Sequence, residues 1–414
     1  MMSAEPQKDP KQYPILRNLQ YSPVKQGDES FIVLWDPTGL SPEKLVLPLN
    51  YFFLIQHFDG RHSLTEILSL YLKRFGEFLL PSKLEQLVND LDEKLFLEGD
   101  RVEIALARAK EDYRQAPVRK PVFAGRGYEA EPAKLRKQIE GFFASAEGPG
   151  SKPSCHAGEL IKGLVTPTYD LKQAGPIYAW AYKELKEAKQ PTLYVMFGTA
   201  SAGMARPFAV TDKDFETPLG LVQTDRTIVS WLRDCLPDSF EEDLCHRAEQ
   251  AIEFQLPFLQ EIVGREQAFT IVPILCSFSA LDLTDAGVEQ EVRTFLDRLR
   301  ELLHKDGRPY CLMASGDLAH LGLRYGDREP PTDFSFHRSM QRDLEMLKLV
   351  EELKADEFAK FIIKEEDRRR IAGFAPIYSL LRLIEAKKGD VLRYDRGLTD
   401  QFNSTVTYAS MAFF

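Results

Sequence analysis

The sequence is poor in the residues that build disulfide frameworks and zinc sites. Its 414 residues include seven histidines and five cysteines, and no two cysteines form a Cys-x-x-Cys pair. This scarcity argues against a disulfide-rich scaffold and against a zinc knuckle. Cys235, Cys276 and Cys311 lie among apolar residues, so we expect all three to be core thiols.

Long apolar runs and a surplus of basic residues are also missing. No run reaches the length of a bilayer-spanning helix, and the first ten residues have neither the apolar core nor the cleavage site of a signal peptide. The net charge of -10 disfavours a nucleic-acid partner, and the run Arg368-Arg369-Arg370 is expected on a solvated face. We therefore expect a cytoplasmic protein with no nucleic-acid and no membrane partner.

Apolar residues make up 44% of the chain, enough for two domains, and residues 13–103 predict the first. Glu29–Trp35 is rich in β-branched and aromatic residues and predicts a strand. Ser63-Leu64-Thr65-Glu66 and Ser82-Lys83-Leu84-Glu85 are capping boxes, each predicting the start of an amphipathic helix. Residues 98–101 then predict a turn into a short strand, which completes the layout of a small α+β winged-helix domain.

The second domain is predicted over residues 119–414, after a charged linker at residues 104–118. The stretch from Glu103 to Tyr113, which begins at the last residue of the first domain, could be helical. Four apolar runs that end at small residues predict buried strands of one sheet. Helical stretches such as Glu291–His304 lie between them, so we expect an α/β sheet with helices on both faces. The four runs are residues 164–166, 193–198, 269–275 and 310–315.

Polar residues follow or flank these runs in three segments, residues 165–169, 249–257 and 315–320, which together contain one histidine and no cysteine. Because sites in such sheets lie beyond the carboxyl ends of strands, these segments predict the rim of a site. The candidate catalytic residues are Glu253, Asp317 and His320.

Each candidate residue has a structural alternative. Glu253 is either a general base or a buried carboxylate paired with an arginine. Asp317 and His320 are either an acid/base pair or metal ligands, or else a helix cap beside a half-buried histidine. His156, next to Cys155 in a loop, is the remaining residue that could join Asp317 and His320 as a ligand of one metal site.

The first domain resembles the PqqD-like peptide-recognition domains that accompany radical-SAM and peptide-modifying enzymes. The resemblance is carried by an N-terminal hairpin, the Phe58-Asp59-Gly60 turn, the helix from Ser63, and the leucine-rich helix that runs into Leu95-Phe96-Leu97. It implies that an extended peptide adds to a sheet edge, expected here at the strand Phe31–Trp35. The alternative is a helical accessory domain that binds nothing.

Residues 119–414 resemble the Memo family, including the B component of the AmmeMemoRadiSam system. Several segments keep the order and spacing of the family's motifs. Glu249–Pro257 is similar to Glu-His-Ser-x-Glu-x-x-Leu-Pro, and Ser315–His320 is similar to Ser-Ser-Asp-x-x-His. Further matching segments are residues 124–128, 167–182, 197–201, 371–377 and 393–413.

The Memo resemblance implies a fold like that of the LigB-type extradiol dioxygenases, in which His and carboxylate ligands hold a mononuclear iron. This chain departs from that pattern at the ligand positions. Thr168, Ser201 or the adjacent Ala202, and Gln250 stand where the family has histidines, and Ala319 stands where it has a cysteine. Only Glu253, Asp317 and His320 are retained. The pocket positions are therefore Thr168, Tyr169, Ser201, Gln250, Gln255 and Ala319.

Two hypotheses follow from the resemblances. The first is a non-catalytic Memo-like protein with a degenerate metal site, no cofactor, and a peptide or radical-SAM protein as partner of its first domain. The second is an iron-dependent oxidoreductase of dioxygenase-like fold that uses relocated ligands around Asp317, His320 and Glu253.

Overall fold

The structure is a computed structural model that describes residues 9–151 and 153–414. The chain divides into two compact units between Gln115 and Ala116. Within the described ranges, no helix is both long and apolar enough to cross a membrane.

The N-terminal unit combines a three-stranded antiparallel sheet with four helices among its described residues. The strand order is β1-β2-β3, so β2 is hydrogen-bonded on both sides. The elements are β1 (Gln20–Gln26), β2 (Glu29–Trp35), β3 (Lys44–Pro48), α1 (Leu49–Ile55), α2 (Leu64–Phe75), α3 (Pro81–Glu93) and α4 (Asp100–Gln115).

Two local predictions for this unit are confirmed. The strand Glu29–Trp35 is β2, and Ser63 caps α2 in a complete capping box with Glu66. The expectation that Phe31–Trp35 is a sheet edge is wrong, because β1 and β3 occupy both of its flanks. The neighbouring strands already form hydrogen bonds with the backbone groups that an added peptide would need.

The later part of the unit departs from the sequence prediction. The capping box at Ser82 does not form, because the N-cap of α3 is Leu80, two residues earlier, and Pro81 is the first helical residue; the side chain of Leu80 makes no capping hydrogen bond. The short strand predicted after residues 98–101 is wrong, since the bend at Glu98 and Gly99 leads directly into α4 at Asp100. α4 covers residues 104–115 of the expected linker, which confirms the helix considered for Glu103–Tyr113, and its residues Val102, Ala109 and Tyr113 are buried.

The C-terminal unit is built on one large mixed sheet. Its strands are β4 (Val118–Arg119), β5 (Gly163–Thr166), β6 (Leu193–Thr199), β7 (Phe208–Val210), β8 (Asp214–Thr217), β9 (Gly220–Thr224), β10 (Thr270–Cys276), β11 (Tyr310–Ser315), β12 (His320–Leu321), β13 (Gly389–Leu398) and β14 (Thr405–Phe413). Its helices are α5 (Pro132–Ala144), α6 (Leu171–Glu187), α7 (Arg226–Cys235), α8 (Gln250–Glu253), α9 (Leu256–Ile262), α10 (Ala286–Asp306), α11 (Asp333–Glu351), α12 (Ala355–Lys364) and α13 (Phe374–Leu383). Short 3-10 turns lie at Pro237–Phe240, Asp243–Arg247, Asp282–Thr284 and Leu323–Tyr325.

The four apolar runs predicted as strands are β5, β6, β10 and β11, and they lie side by side at the centre of the sheet. The path runs β12-β14-β5-β11-β6-β10-β9-β8-β4 through the described residues. Neighbours from β5 to β9 are parallel, whereas β14 is antiparallel to β5. The carboxyl ends of β5, β11 and β6 therefore meet at one edge of the sheet.

Helices cover both faces of this sheet. Val195 and Phe197 of β6 pack in one core cluster with residues of α10 and α13. Tyr194 and Met196 pack in a second cluster with residues of α5, α6 and α9. Because successive side chains of a strand point to opposite faces, the alternation confirms the expected burial on both sides.

Two expectations about individual side chains need correction. Cys276 and Cys311 are buried, but Cys235 is exposed at the last position of α7. Arg369 is not on a solvated face either. It is buried and paired with Asp343, whose carboxylate also accepts hydrogen bonds from two hydroxyl groups, those of Tyr394 and Thr407.

Candidate functional site

Asp317 is the centre of the rim formed by β5 and β11. Its carboxylate accepts hydrogen bonds from the Thr168 amide at 2.9 Å, the Thr168 hydroxyl at 2.8 Å and the Tyr169 amide at 3.1 Å. Asp317 is 6% exposed, and burial raises its pKa to about 6 even though these hydrogen bonds favour the charged form. The sheet thus brings together two segments about 150 residues apart.

Gln250 and Glu249 continue this polar arrangement toward β6. The Gln250 side-chain amide donates to the Thr168 carbonyl at 2.9 Å. Glu249 caps α8 and also accepts from the Ser201 amide at 2.7 Å and hydroxyl at 3.2 Å. Burial raises the pKa of Glu249. One hydrogen-bonded series therefore runs from Asp317 through Thr168, Gln250 and Glu249 to Ser201.

Sequence reasoning missed Glu249, although it stands inside a segment assigned to the rim. The residues preferred at an N-cap are Ser, Thr, Asp, Asn and Gly, so a glutamate before a four-residue helix gives no clear cap signal. The bond to Ser201 depends in addition on how β6 and α8 approach each other.

Gln255 and Tyr169 hold the rim in place from behind and from the side. The fully buried Gln255 donates to the Pro167 carbonyl at 3.1 Å and accepts from the Tyr182 hydroxyl at 2.9 Å. Tyr169 donates to the Leu398 carbonyl at 2.7 Å and stacks on Tyr408, with ring centroids 5.3 Å apart. These side chains are therefore already committed to contacts within the chain.

His320 is held by its Nδ1 atom. That nitrogen lies 3.0 Å from the Leu318 carbonyl and 3.1 Å from the Arg370 carbonyl. Since both partners only accept, Nδ1 carries the proton. Burial lowers the pKa of His320 to about 4, so the ring is neutral near pH 7 and Nε2 offers a lone pair.

Ala319 contributes only backbone groups to this region. It is fully buried, its amide donates to the Thr407 hydroxyl at 2.9 Å, and its carbonyl accepts from the Thr407 amide at 2.9 Å. The position at which the family resemblance implies a cysteine is therefore tied to β14 and carries no donor side chain.

Glu253 does not belong to the rim. Its fully buried carboxylate is paired with Arg119 and accepts from the Val122 amide at 3.1 Å, the Phe123 amide at 2.8 Å and the Tyr128 hydroxyl at 2.7 Å. Its acceptor positions are taken by Arg119 of β4 and by the segment that follows β4. The geometry therefore places Glu253 in a structural ion pair and leaves it unsuited to act as a base or ligand.

His156 lies at the opposite end of β14 from His320. It stacks on Phe414 with ring centroids 4.3 Å apart and bonds to Glu159 at 3.1 Å and Asp390 at 3.0 Å. His320 pairs with Val406, eight residues before Phe414. That separation corresponds to about 27 Å along a strand. The combination of His156, Asp317 and His320 in one metal site is therefore wrong.

A family model described as a Memo-like protein matches residues 119–412. The chain belongs to the Memo family. A MEMO1 family protein of Aquifex aeolicus is 26% identical over 392 residues, covering 94% of this chain and 96% of the relative. MEMO1 family proteins of Methanopyrus kandleri and Sulfolobus acidocaldarius are 28% and 29% identical, covering 71% and 72% of this chain and 98% and 99% of themselves.

These coverages distinguish two kinds of Memo relative. The Aquifex match is too long to be confined to the C-terminal unit, so it includes most of the N-terminal unit. The matches to the other two relatives cover nearly the whole length of those proteins. They are about as long as the C-terminal unit of this chain. The two-unit arrangement is therefore shared with at least one Memo relative.

The donor set at the rim does not fit the mononuclear iron that the dioxygenase-like resemblance implies. In the part of the chain that the structure describes, no group of three or more His, Cys, Asp or Glu side chains is arranged to hold a metal ion. Thr168, Ser201 and Gln250 supply neutral groups. Their side chains donate hydrogen bonds to Asp317, to Glu249 and to the Thr168 carbonyl, respectively. Iron needs several imidazole or carboxylate ligands, whereas His320 Nε2 would supply one ligand.

Proposed function

We propose that this Memo-family protein is a non-catalytic binding or scaffold subunit of a radical-SAM or peptide-modifying system. One observation carries the proposal: the polar groups at the rim are bonded to each other in a series from Asp317 to Ser201. A catalytic metal site needs donors that point at the metal, whereas these donors and acceptors maintain the shape of the rim.

The N-terminal unit supplies the surface proposed for the peptide or partner protein. Of its two edge strands, β1 has Pro23 in its interior, where the missing amide donor interrupts pairing, whereas the proline of β3, Pro48, is its last residue, so β3 is the better edge for an added strand. Val46 on β3 is 55% exposed and Leu49 at the start of α1 is 50% exposed. An extended peptide with apolar side chains would cover both.

Fluorescence anisotropy tests this docking with a labelled synthetic copy of a short peptide encoded beside a radical-SAM gene in the same genome. We expect binding to the full chain that Val46→Lys and Leu49→Asp each weaken at least about tenfold, a loss of about 1.4 kcal/mol. Ile104→Lys is the matched control, because Ile104 is exposed on α4 of the same unit. Equal loss in the control, or no binding, contradicts the docking proposal.

The competing function is an iron-dependent oxidoreductase with ligands around Asp317, His320 and Glu253. The separate hydrogen bonding of Glu253 disfavours that set, and metal retention distinguishes the two functions directly. After anaerobic loading with ferrous iron and desalting, we expect wild type and His320→Ala to retain the same small amount of iron. Retention of about one iron per chain, lost in His320→Ala, would reject the non-catalytic proposal.

A further inference from the structure

We propose that His57 and His62 of the N-terminal unit form a binding site for a divalent transition metal of the zinc, nickel and copper class. This site is independent of the rim in the C-terminal unit and of the proposed scaffold role. Among the described residues, these are the two histidines whose rings contact each other.

His57 follows α1 and is fixed by that helix. Its Nδ1 atom lies 2.9 Å from the Phe53 carbonyl, and its ring packs on Phe53 with centroids 4.7 Å apart. A carbonyl oxygen only accepts, so Nδ1 carries the proton and Nε2 keeps its lone pair. No hydrogen bond to this Nε2 occurs within the described ranges.

His62 is fixed in the same manner by a carboxylate. Its Nδ1 atom lies 3.0 Å from each carboxylate oxygen of Asp59, which also accepts from the Arg61 and His62 amides. The Nε2 atom of His62 is again the nitrogen that remains available, on a side chain 40% exposed to solvent.

The two rings are close enough to share one ion. Their centroids are 5.7 Å apart and their planes are 87° apart. With metal–nitrogen distances of about 2.0–2.1 Å, two imidazoles on a tetrahedral ion place their ring centres about 5 Å apart. The partners of Nδ1 are a carboxylate and a backbone carbonyl, the usual outer partners of metal-binding histidines.

The connecting turn is held by hydrogen bonds and packing within the unit. Gly60 has a φ of 74°, and a Cβ atom there would lie 2.8 Å from Ile15 Cγ1. The Gly60 amide donates to the Pro14 carbonyl at 3.0 Å, and the capping box of Ser63 begins directly after His62. Little ordering is therefore needed on binding. Two protein ligands leave the remaining positions to water, which imposes no further requirement on the chain.

Isothermal titration of Zn²⁺ into the full chain at pH 7.5 tests the site. We expect one site in wild type that His57→Ala and His62→Ala each weaken at least about tenfold, because each removes a ligand. Asp59→Asn keeps an oxygen for the turn but loses the carboxylate behind His62, so it should weaken binding by about 10–100-fold. Circular dichroism checks that each variant remains folded.

His337→Ala is the matched control, since His337 is an exposed histidine outside the pair. It should leave the affinity unchanged. The proposal is overturned if wild type binds no more tightly than the His57→Ala, His62→Ala double variant, or if the control variant loses as much affinity as the two ligand variants.

Discussion

Replacing Arg119 with methionine should destabilise the C-terminal unit severely, and the structure gives the reason. Arg119 is 1% exposed and pairs with the fully buried Glu253. It also donates to the carbonyl groups of His246 at 3.0 Å, Lys120 at 3.0 Å and Glu249 at 2.8 Å. Arg119→Met keeps most of the side-chain volume but leaves a buried carboxylate without a counter-charge.

The expected loss is about 3–5 kcal/mol, the usual cost of removing one partner from a buried ion pair. Adding Glu253→Gln removes the stranded charge. The double variant should therefore lose at least about 1 kcal/mol less unfolding free energy than the two single variants lose together.

Equilibrium unfolding in guanidinium chloride, followed by tryptophan fluorescence, measures these differences. In a Trp35→Phe background the signal comes from Trp180 and Trp231, which both lie in the C-terminal unit. Arg293→Met is the matched control, because Arg293 forms an exposed ion pair with Glu289 at 3.2 Å that should be worth less than about 1 kcal/mol. A loss for Arg119→Met as small as that of the control, with no rescue by Glu253→Gln, would refute the structural role of Glu253.

Two further predictions concern a helix cap and the rim carboxylate. Ser63→Ala should cost the N-terminal unit about 1 kcal/mol of stability because it removes the cap of α2. Ser82→Ala should change stability little because Ser82 caps no helix. Equal effects of the two variants in thermal unfolding would contradict the assignment of the two helix starts. Burial raises the pKa of Asp317 to about 6, compared with about 3.9 in the unfolded chain. Because the folded state binds this proton more tightly, stability should fall as the pH rises from about 4 through 6. Relative to Asp317→Asn, wild type should lose about 2 kcal/mol between pH 4 and pH 7, and a difference that does not change with pH would show that this carboxyl titrates normally.

The sequence predicts the central strands of the C-terminal unit well because they are short, almost wholly apolar and bounded by small residues. β6 and β11 each differ from the predicted run by no more than one residue. It predicts the start of α2 for a local reason too, since Ser63 and Glu66 bond within one turn. At α3 the same pattern fails, because Pro81 at the first helical position already satisfies the geometry of a helix start.

The candidate site is predicted only as a location. The rim segments follow from the rule that sites lie at the carboxyl ends of parallel strands, and Thr168, Gln250, Ser201 and Asp317 do meet there in one hydrogen-bonded series. Which groups bond to each other depends on distances between β5, β6, β11 and α8. Those distances arise from packing and leave no trace in residue spacing.

The sequence by itself determined the local elements, the Memo resemblance and the replacement of expected metal ligands by Thr168, Ser201 and Ala319. The tertiary structure decided the partners of the charged residues. Glu253 joined Arg119 across 134 positions, and His156 lies at the far end of β14 from His320. The physical reason is that a charge buried in a low-dielectric interior must be compensated by whatever group the fold brings beside it, and that group need not be near in sequence.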